Sequence, residues 1–377
     1  MSIQISDWKL LQLTVEDVGP FRNGPQSFSF AGEPLADDPD PGPSNLYMLL
    51  AKNGHGKTTL LECIHGLFGL MAEPAVGRFA DPGEHGRAQV DVRATWTLEG
   101  RTQTVVLSLW TGADSPLVTW SATDLEGAQA SESWARLRLE SSYNGVAAVE
   151  GTDDLGLRLY RAILEARGRA PEALFGASED MPTVLLFPAD RRLHRPDDTR
   201  RVERPEAFAY QPAQCFASDG PEWGTTIDNL LVWLDWINDG RLEELLSFVN
   251  EQMFEGHVEK AIRTPRRQDL ATYVSTKSGE HPLIGLSHGE RALLQLFVRV
   301  ACNMTSNTIV LIDEVETHLH PKWMFRLFDG LKALLRAAPA LSIVFTTHNR
   351  ELIRVFDHQR KEEGLVKGGF WIEDELA

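Results

Sequence analysis

Several classes of protein are excluded by what the sequence has little of. Its 377 residues include three cysteines, Cys63, Cys215 and Cys302, which lie far apart and form no C-x-x-C pair. This spacing argues against a disulfide framework, a zinc hook or a zinc ribbon, and it predicts reduced thiols in the core. No apolar run approaches the ~18 residues that a membrane span needs. Asp7 and Lys9 interrupt the first apolar stretch, so we expect no signal peptide and a cytoplasmic protein.

Positive charge is also scarce. The chain carries 37 Lys and Arg against 54 Asp and Glu, a formal net charge of −17. The whole molecule therefore repels polyanions at long range, and any contact with a nucleic acid has to be local. The apolar share of 42% is sufficient to fill a large core. This length predicts one elaborated α/β domain, or a core with an insertion of ~100–150 residues.

The hydrophobic pattern divides the chain into three parts. Residues 1–115 form a predicted N-terminal lobe, because apolar and polar residues alternate in strand-like stretches and Glu99-Gly100 predicts a β-hairpin turn. Residues 116–280 show helical periodicity from Ile227 to Met253, which predicts a mostly helical insertion. In residues 281–377, strands alternate with helices, which predicts a parallel sheet. The elements expected there are a helix at 290–303, a strand at 309–312, a helix at 321–337 and a strand at 341–347.

Residues 51–59, AKNGHGKTT, follow an apolar strand pattern at 46–50 and precede a helix, which is the setting of a phosphate-binding loop. Backbone N–H groups there would surround phosphate oxygens at the positive end of the helix. We expect Lys57 to reach the β- and γ-phosphates of a nucleoside triphosphate, and Thr58 to bind Mg²⁺. The other predicted nucleotide-binding residues are Asn53, Gly54, His55, Gly56 and Thr59. A chance Gly-Lys-Thr at an ordinary helix start is the alternative.

Residues 308–314, TIVLIDE, place two acids at the end of an apolar strand. In a parallel sheet this carboxyl edge is where ligands bind. We therefore expect Asp313 to hold Mg²⁺, directly or through water, and Glu314 to act as general base for the attacking water. The alternative is a strand that ends in solvated acids.

The segment LSHGE, ending at Glu290, precedes a predicted helix. Ser287 and Glu290 form the S-x-x-E pattern of a capping box. A serine hydroxyl and free N–H groups at a helix N-terminus also make an anion site, so this segment is predicted to contact a γ-phosphate. The two roles are compatible.

Two further motifs carry histidines. His348 ends the strand pattern IVFTT, 35 positions beyond Asp313, so we expect it at the same sheet edge, donating a hydrogen bond to the γ-phosphate or to the attacking water. A structural histidine is the alternative. Glu316, His318 and His320 suggest a metal site, but their spacing before Pro321 does not match the helical H-x-x-x-H arrangement. We therefore predict a structural role or a subunit contact for them.

In this order, AKNGHGKTT, LSHGE, IVLIDEVETHLHP and FTTH resemble the ABC-type ATPase heads of the RecF, Rad50 and SMC group, and in particular the short prokaryotic ATPases related to OLD nucleases. Residues 18–22, VGPFR, are similar to the start of those heads, and residues 187–191, FPADR, to a segment of the short members. The resemblance implies an α/β fold, a P-loop ABC-type ATPase head with an antiparallel β-rich subdomain and a helical insertion. It also implies ATP and Mg²⁺ as ligands and hydrolysis of ATP as the activity.

In such families two heads enclose two ATP molecules. The resemblance therefore implies a homodimer or higher homo-oligomer, in which Ser287 and Gly289 act on the nucleotide held by Lys57 and Thr58 of the partner copy. The sequence departs from the family at three points. Ala51 replaces the first glycine of the loop, and His288 stands where transporter-like signatures have glycine. No glutamine is clearly placed as the lobe-coupling residue, for which Gln89 is a candidate.

The short form is similar to ATPase subunits of anti-phage defence modules such as Septu, PARIS and retron-linked systems. The expected function is an ATP-driven switch coupled to a nucleic acid or to a separate effector protein, a nuclease or toxin. After His348 only 29 residues remain, too few for the Toprim domain of many OLD-like chains. One alternative is a RecF-type DNA repair ATPase. A second is a transporter subunit, but residues 19–22, GPFR, and residues 316–321, ETHLHP, argue against it. A third is a nucleotide-binding scaffold with negligible turnover, and the presence of Glu314 argues against that one.

Two sequence features, the arginine-rich stretches and a group of tryptophans, each allow two interpretations, with and without a binding partner. Residues 191–205 contain six Arg against three acids, and residues 263–267 add three more Arg, so local contact with nucleic-acid phosphates is one interpretation. The other is that the acids neutralise the patch or that one arginine serves the nucleotide site. The near-helical spacing of the tryptophans indicates either a surface for a partner or packing in the core, and the residues are Trp223, Trp233 and Trp236.

Overall fold

The chain folds around two large β-sheets, seen in a computed structural model. The structure describes residues 3–34, 41–51, 54–81, 86–128, 130, 133–176, 180–191, 193, 200–205, 207–218, 222–255, 259–317, 319–349, 352, 356 and 365–372. The strands are β1 Ile3–Glu16, β2 Gln26–Ser29, β3 Leu46–Ala51, β4 Arg87–Leu98, β5 Arg101–Thr111, β6 Ser133–Ser142, β7 Gly145–Ala148, β8 Thr183–Phe187, β9 Ala213–Cys215, β10 Ala261–Ile262, β11 Tyr273–Thr276, β12 Gly279–Pro282, β13 Thr308–Ile312, β14 Ser342–Thr347 and β15 Lys367–Ile372. The helices are α1 Lys57–Gly69, α2 Ala122–Gly127, α3 Asp154–Ala166, α4 Ile227–Ile237, α5 Arg241–Phe254, α6 His288–Asn303 and α7 Pro321–Ala337.

One sheet is parallel throughout, with the strand order β15-β3-β14-β13-β8-β9. Its central strands are continuous apolar runs because helices or a second sheet cover both faces, and every residue of β8, β13 and β14 is buried. The sequence-based prediction of a parallel sheet is confirmed. The carboxyl ends of β3, β13 and β14 lie at one edge, and the loops that follow them carry the predicted site.

The other six-stranded sheet has the order β2-β1-β4-β5-β6-β7, and its pairs are antiparallel except for β5 and β6. The predicted hairpin is present between β4 and β5. Its two turn residues, Glu99 and Gly100, both have a positive φ, of 52° and 78°. That pair of left-handed residues matches the twist of a two-residue hairpin.

Two cores lie on opposite faces of the parallel sheet. Along β3, Tyr47 and Leu49 pack on the side of α1 and the antiparallel sheet, whereas Leu46 and Met48 pack on the side of α4 to α7. This follows from the two-residue period of a strand. The parallel sheet is therefore the layer that the two lobes share.

Residues 116–280, predicted as a mostly helical insertion, contribute both helices and strands to the fold. Helices α2 to α5 lie in this stretch, but β6 continues the antiparallel sheet beside β5, and β8 lies between β13 and β9 in the parallel sheet. Strands β10 to β12 form a small antiparallel sheet of their own. The five residues of β8, a threonine and four apolar residues, are all buried, so they show no alternation that would distinguish a strand from a helix. β6 and β8 therefore pair with strands from the other two predicted parts of the chain.

Two of the three cysteines are buried. Cys63 and Cys302 are buried, as predicted, but Cys215 at the end of β9 is exposed. Among the described residues, no helix combines the length and the apolar character that crossing a bilayer requires.

Candidate functional site

The loop between β3 and α1 has the backbone that an anion site requires. Gly54 and Gly56 have φ of 88° and 85°, which only glycine adopts without strain. Gly56 is the N-cap residue of α1, so no side chain occupies the first N–H groups of the helix. A Cβ at Gly56 would come within 2.5 Å of the Phe21 ring, so the turn at residues 18–22 packs against this loop. Asn53 lies outside the described residues.

Ala51 fits where the pattern has glycine because it is still part of β3, where the backbone needs no glycine. Its carbonyl accepts a hydrogen bond from Lys57 Nζ at 2.6 Å. Lys57 is 7% exposed, and burial lowers the pKa of its ammonium, while the carboxylates of Glu314, Asp313 and Glu316 oppose that shift. The ammonium therefore lies in the field of all three acids.

A direct hydrogen bond joins the loop to the end of β13. Thr58 Oγ1 donates to Asp313 Oδ2 at 2.8 Å, across 255 positions of sequence. Asp313 is 5% exposed. A hydroxyl and a carboxylate oxygen are the donors that Mg²⁺ prefers, and Mg²⁺ commonly takes one or two protein oxygens and completes its shell with water and phosphate. The described residues contain no group of three His, Cys, Asp or Glu side chains that would suit another metal. The residues present fit Mg²⁺.

Thr346 connects the two acids at the end of β13. Its hydroxyl donates to Asp313 Oδ1 at 2.6 Å and accepts from the Glu314 N–H at 2.8 Å. Glu314 has a φ of 43°, a left-handed conformation that costs a non-glycine residue about 1–2 kcal/mol. Its Oε2 accepts a hydrogen bond from Thr317 Oγ1 at 3.1 Å. The direction of the Glu314 carboxyl is therefore set by its own turn and by Thr317.

His348 follows β14 at the same edge of the sheet as Asp313, because β13 and β14 pair in parallel. It is exposed, and Glu316 holds it by two contacts. The Glu316 Oε1 atom accepts from the His348 backbone N–H at 2.9 Å and lies 3.0 Å from His348 Nδ1. The second ring nitrogen is therefore the one available to a ligand. His320 is exposed, and His318 lies outside the described residues.

The predicted capping box is present at the start of α6. Ser287 Oγ accepts from the Glu290 N–H at 3.4 Å, and Glu290 Oε2 accepts from the Ser287 N–H at 2.9 Å. Burial alone would raise the pKa of Glu290, but hydrogen bonds from Lys260 and Ser287 outweigh it and lower the pKa. Ser287 and His288 are exposed and Gly289 is buried. The helix N-terminus with its serine therefore faces outward.

Sequence reasoning missed Thr346, Thr317 and the contact of Glu316 with His348 as parts of the site. It left open that one arginine of residues 191–205 serves the site, but it did not identify Arg191. Thr346 had one available signal, because it belongs to a pair of threonines that ends the strand directly before a candidate histidine. Gln89 does not fit the role of lobe-coupling glutamine. Its amide is fully buried within the antiparallel sheet and bonds to Asp91 Oδ1 at 2.8 Å and to the Val118 carbonyl at 2.9 Å.

In the described residues of the basic stretches, some arginines form ion pairs and others donate to uncharged oxygens. Arg191 is buried at the site, and Arg201 pairs with Glu203. In the second stretch, Arg266 pairs with Glu280 and Arg267 with Asp235. Of the three tryptophans, Trp223 is in the core, whereas Trp236 is 61% exposed and stacks on Trp233. Arg200, Arg204 and Arg263 donate to carbonyl or hydroxyl oxygens, so ion pairing lowers the charge available to a nucleic acid without removing it.

Comparisons with known proteins show the family of the chain. Residues 52–354, more than half of the chain, match the family AAA_21, described as "AAA domain, putative AbiEii toxin, Type IV TA system". The Retron Ec83 probable ATPase of Escherichia coli is 27% identical over 105 residues, 25% of this chain and 19% of that protein. The Septu protein PtuA of Bacillus mycoides (strain KBAB4) is 29% identical over 123 residues, 28% of this chain and 17% of that protein. The chain thus matches less than a fifth of the length of either relative.

Two solved structures of SMC heads are similar over most of the chain. The SMC head domain from Thermotoga maritima is 13% identical, with 92% of this chain and 91% of that one covered and a TM-score of 0.38. The SMC head bound to the C-terminal winged-helix domain of ScpA is 10% identical, with 97% and 95% covered and a TM-score of 0.42. The match over residues 52–354 includes the loop, the capping box, the acids after β13 and His348. The chain therefore belongs to the AAA_21 family of AAA domains.

Proposed function

We propose that this chain binds and hydrolyses ATP with Mg²⁺ and that it works as a dimer closed around the nucleotide. The observation that carries the proposal is the 2.8 Å hydrogen bond between Thr58 and Asp313. It brings the phosphate-binding loop and the acids of β13 into one site, next to Lys57, Glu314 and His348. In this proposal the loop, the acids after β13 and His348 are all needed to form one reaction site.

Each residue has a distinct task in this proposal. The N–H groups at the start of α1 and the Lys57 ammonium hold the phosphates. Thr58 and Asp313 would hold Mg²⁺, which supplies neutralisation of charge on the phosphate oxygens. Glu314 accepts the proton of the attacking water. His348, oriented by Glu316, donates a hydrogen bond toward the γ-phosphate or that water.

The exposed start of α6 supports the dimer. Ser287 and His288 face outward, and the hydrogen bonds of the Ser287 hydroxyl go to Glu290 in the same turn. An uncovered helix N-terminus attracts an anion. In a homodimer, Ser287 and Gly289 of one copy would contact the γ-phosphate bound by the other copy.

We propose anti-phage defence as the setting, with the ATP cycle coupled to a separate effector protein. The similarity to a retron ATPase and to Septu protein PtuA supports it. Coupling to a nucleic acid, as in a RecF-type repair ATPase, is the second candidate. The ion pairs of Arg201, Arg266 and Arg267 favour the effector, because they reduce the charge available to phosphates.

The test is Mg²⁺-dependent release of phosphate from ATP by the purified chain and by Glu314→Gln. Since Gln keeps the shape of the side chain but cannot accept the proton, we expect hydrolysis to fall by about 100-fold or more while ATP still binds. An ATP-bound oligomer should then accumulate in size-exclusion chromatography. The control is Glu280→Gln, which changes a surface partner of Arg266 and should hydrolyse ATP like the wild type. Hydrolysis by Glu314→Gln at the wild-type rate would remove Glu314 from the reaction.

A further inference from the structure

Arg191 is a buried cation directly behind the two acids of the site. It lies four residues after β8, and its side chain is 7% exposed overall. Its Nη1 atom donates to the carbonyl oxygens of Pro188 and Asp313, both at 2.8 Å. Its Nη2 atom donates to the carbonyl oxygens of Glu314 at 3.1 Å and Val315 at 3.4 Å. One guanidinium thus holds three consecutive carbonyl groups of the turn that contains both acids.

Three consecutive carbonyl groups do not normally point to one place. In a strand, successive carbonyls alternate in direction, so β13 has to turn after Ile312 for them to converge. The left-handed φ of 43° at Glu314 provides this turn. The converging oxygens would repel one another without a cation between them, so the strained conformation of Glu314 and the guanidinium depend on each other.

The charge of Arg191 persists at neutral pH. Burial lowers its pKa to about 10, and the carboxylates of Asp313, Glu316 and Glu314 oppose that shift. A planar guanidinium also presents several donors in fixed directions, which the single ammonium of a lysine does not. The site therefore uses a group that lysine cannot replace.

We propose that Arg191 is a positioning residue of the ATPase site, which holds the turn at residues 313–315 so that the Glu314 carboxyl faces the attacking water. The proposal rests on the proposed ATP hydrolysis. Arg191 does not touch the nucleotide in this account, and it acts through the backbone of Asp313, Glu314 and Val315. A change at Arg191 should then affect the chemical step and leave the binding of ATP by the loop of α1 intact.

Arg191→Lys and Arg191→Gln test this, with Arg241→Lys as the matched control. Arg241 is also a buried arginine that donates to a backbone carbonyl, that of Pro171, and it lies outside the site. Four quantities are measured on each protein: kcat, the Kd of ATP, the melting temperature, and hydrogen–deuterium exchange of the peptide that covers residues 313–317. We expect kcat to fall by about 10- to 100-fold in both Arg191 variants, with the Kd of ATP within about 3-fold of the wild type. Exchange over residues 313–317 should become faster, and in Arg241→Lys it should not change.

Each outcome decides the proposal. Wild-type kcat in a folded Arg191→Lys, or unchanged exchange over residues 313–317, overturns it. A purely structural role would lower the melting temperature and weaken ATP binding together with kcat, as a general loss of folded protein does, and this also overturns it. If the wild type hydrolyses no ATP, the proposed function fails, and the exchange of residues 313–317 still decides whether Arg191 holds the turn.

Discussion

The hydroxyl of Thr346 uses both of its hydrogen-bonding capacities inside the site. It donates to Asp313 and accepts from the Glu314 N–H, and the residue is fully buried. The next residue, Thr347, is equally buried, but its hydroxyl accepts only a local bond, from the Asn349 N–H at 3.0 Å. Two neighbouring threonines on one strand therefore have different tasks, and they form a matched pair for an experiment.

Thr346→Val preserves the shape of the side chain and removes the hydroxyl. The Glu314 N–H and one Asp313 oxygen then lose a buried partner, so we expect a loss of about 1–3 kcal/mol in the free energy of unfolding. We also expect kcat to fall by about 10-fold or more, because both acids are displaced. Urea unfolding and phosphate release measure the two effects. Thr347→Val is the control, and equal behaviour of the two variants would mean that Thr346 has no particular role at the site.

Among single residues, the sequence indicated those candidate site residues that lie together in a short motif. Lys57 and Thr58 lie in one short motif, and Asp313 and Glu314 end an apolar strand, so each pair could be predicted from its local context. Arg191 could not, because its partners lie 122 to 124 positions away and are backbone carbonyls, which leave no mark on the sequence.

Among the elements, the β4–β5 hairpin was predicted from the alternation of apolar and polar residues in its sequence, and β13 and β14 were predicted from apolar runs that end in candidate site residues. β8 is a short buried run of the same kind, but it shows no alternation and was missed. The hairpin also holds a buried carboxyl. Asp91 on β4 is fully buried and accepts hydrogen bonds from Ser108 on β5 at 2.5 Å and from Gln89 at 2.8 Å. Burial raises its pKa to about 6, although these hydrogen bonds oppose the shift.

The sign of the resulting pH dependence follows from that shift. Folded Asp91 binds its proton more tightly than the unfolded chain, where the pKa is 3.8. Its stabilising contribution is therefore complete below pH 3.8 and is lost as the pH rises through about 6. Asp91→Asn keeps the acceptor oxygen without the charge. We therefore expect this variant to raise the free energy of unfolding at pH 8 by about 3 kcal/mol at most. The gain should shrink as the pH is lowered to 5.

Chemical unfolding at pH 5 and pH 8 checks this expectation. Asp114→Asn is the control, since that carboxyl lies on the same lobe and its side chain is 100% exposed. If Asp91→Asn gave the same gain at both pH values, its burial would not determine the ionisation. The measurement concerns the stability of the antiparallel sheet and is independent of ATP hydrolysis.

In the whole molecule, the loop before Lys57 follows β3 of the parallel sheet, and Ser287 and His288 at the start of α6 are exposed. The net charge of −17 makes two copies repel at long range, so a dimer needs local complementarity, which a bound polyphosphate between helix N-termini would provide. The dimer stays a prediction from the motifs, whereas the strands that residues 116–280 add to both sheets could not be predicted from them.

Complementation between two inactive variants tests that dimer. Ser287→Arg fills the start of α6 with a long cation and should abolish hydrolysis, while its intact Lys57 still binds ATP. Lys57→Ala should be inactive because it lacks the ammonium. When the two are mixed in equal amounts, half of the dimers are mixed and each holds one complete site, so about a quarter of the wild-type rate should return. Ser278→Arg, a change in the exposed turn between β11 and β12, is the control for the added charge and should be active alone. If no mixing ratio restores phosphate release while both variants remain folded, Ser287 acts on the nucleotide of its own chain or on none, because only a site shared between copies can be completed by a partner.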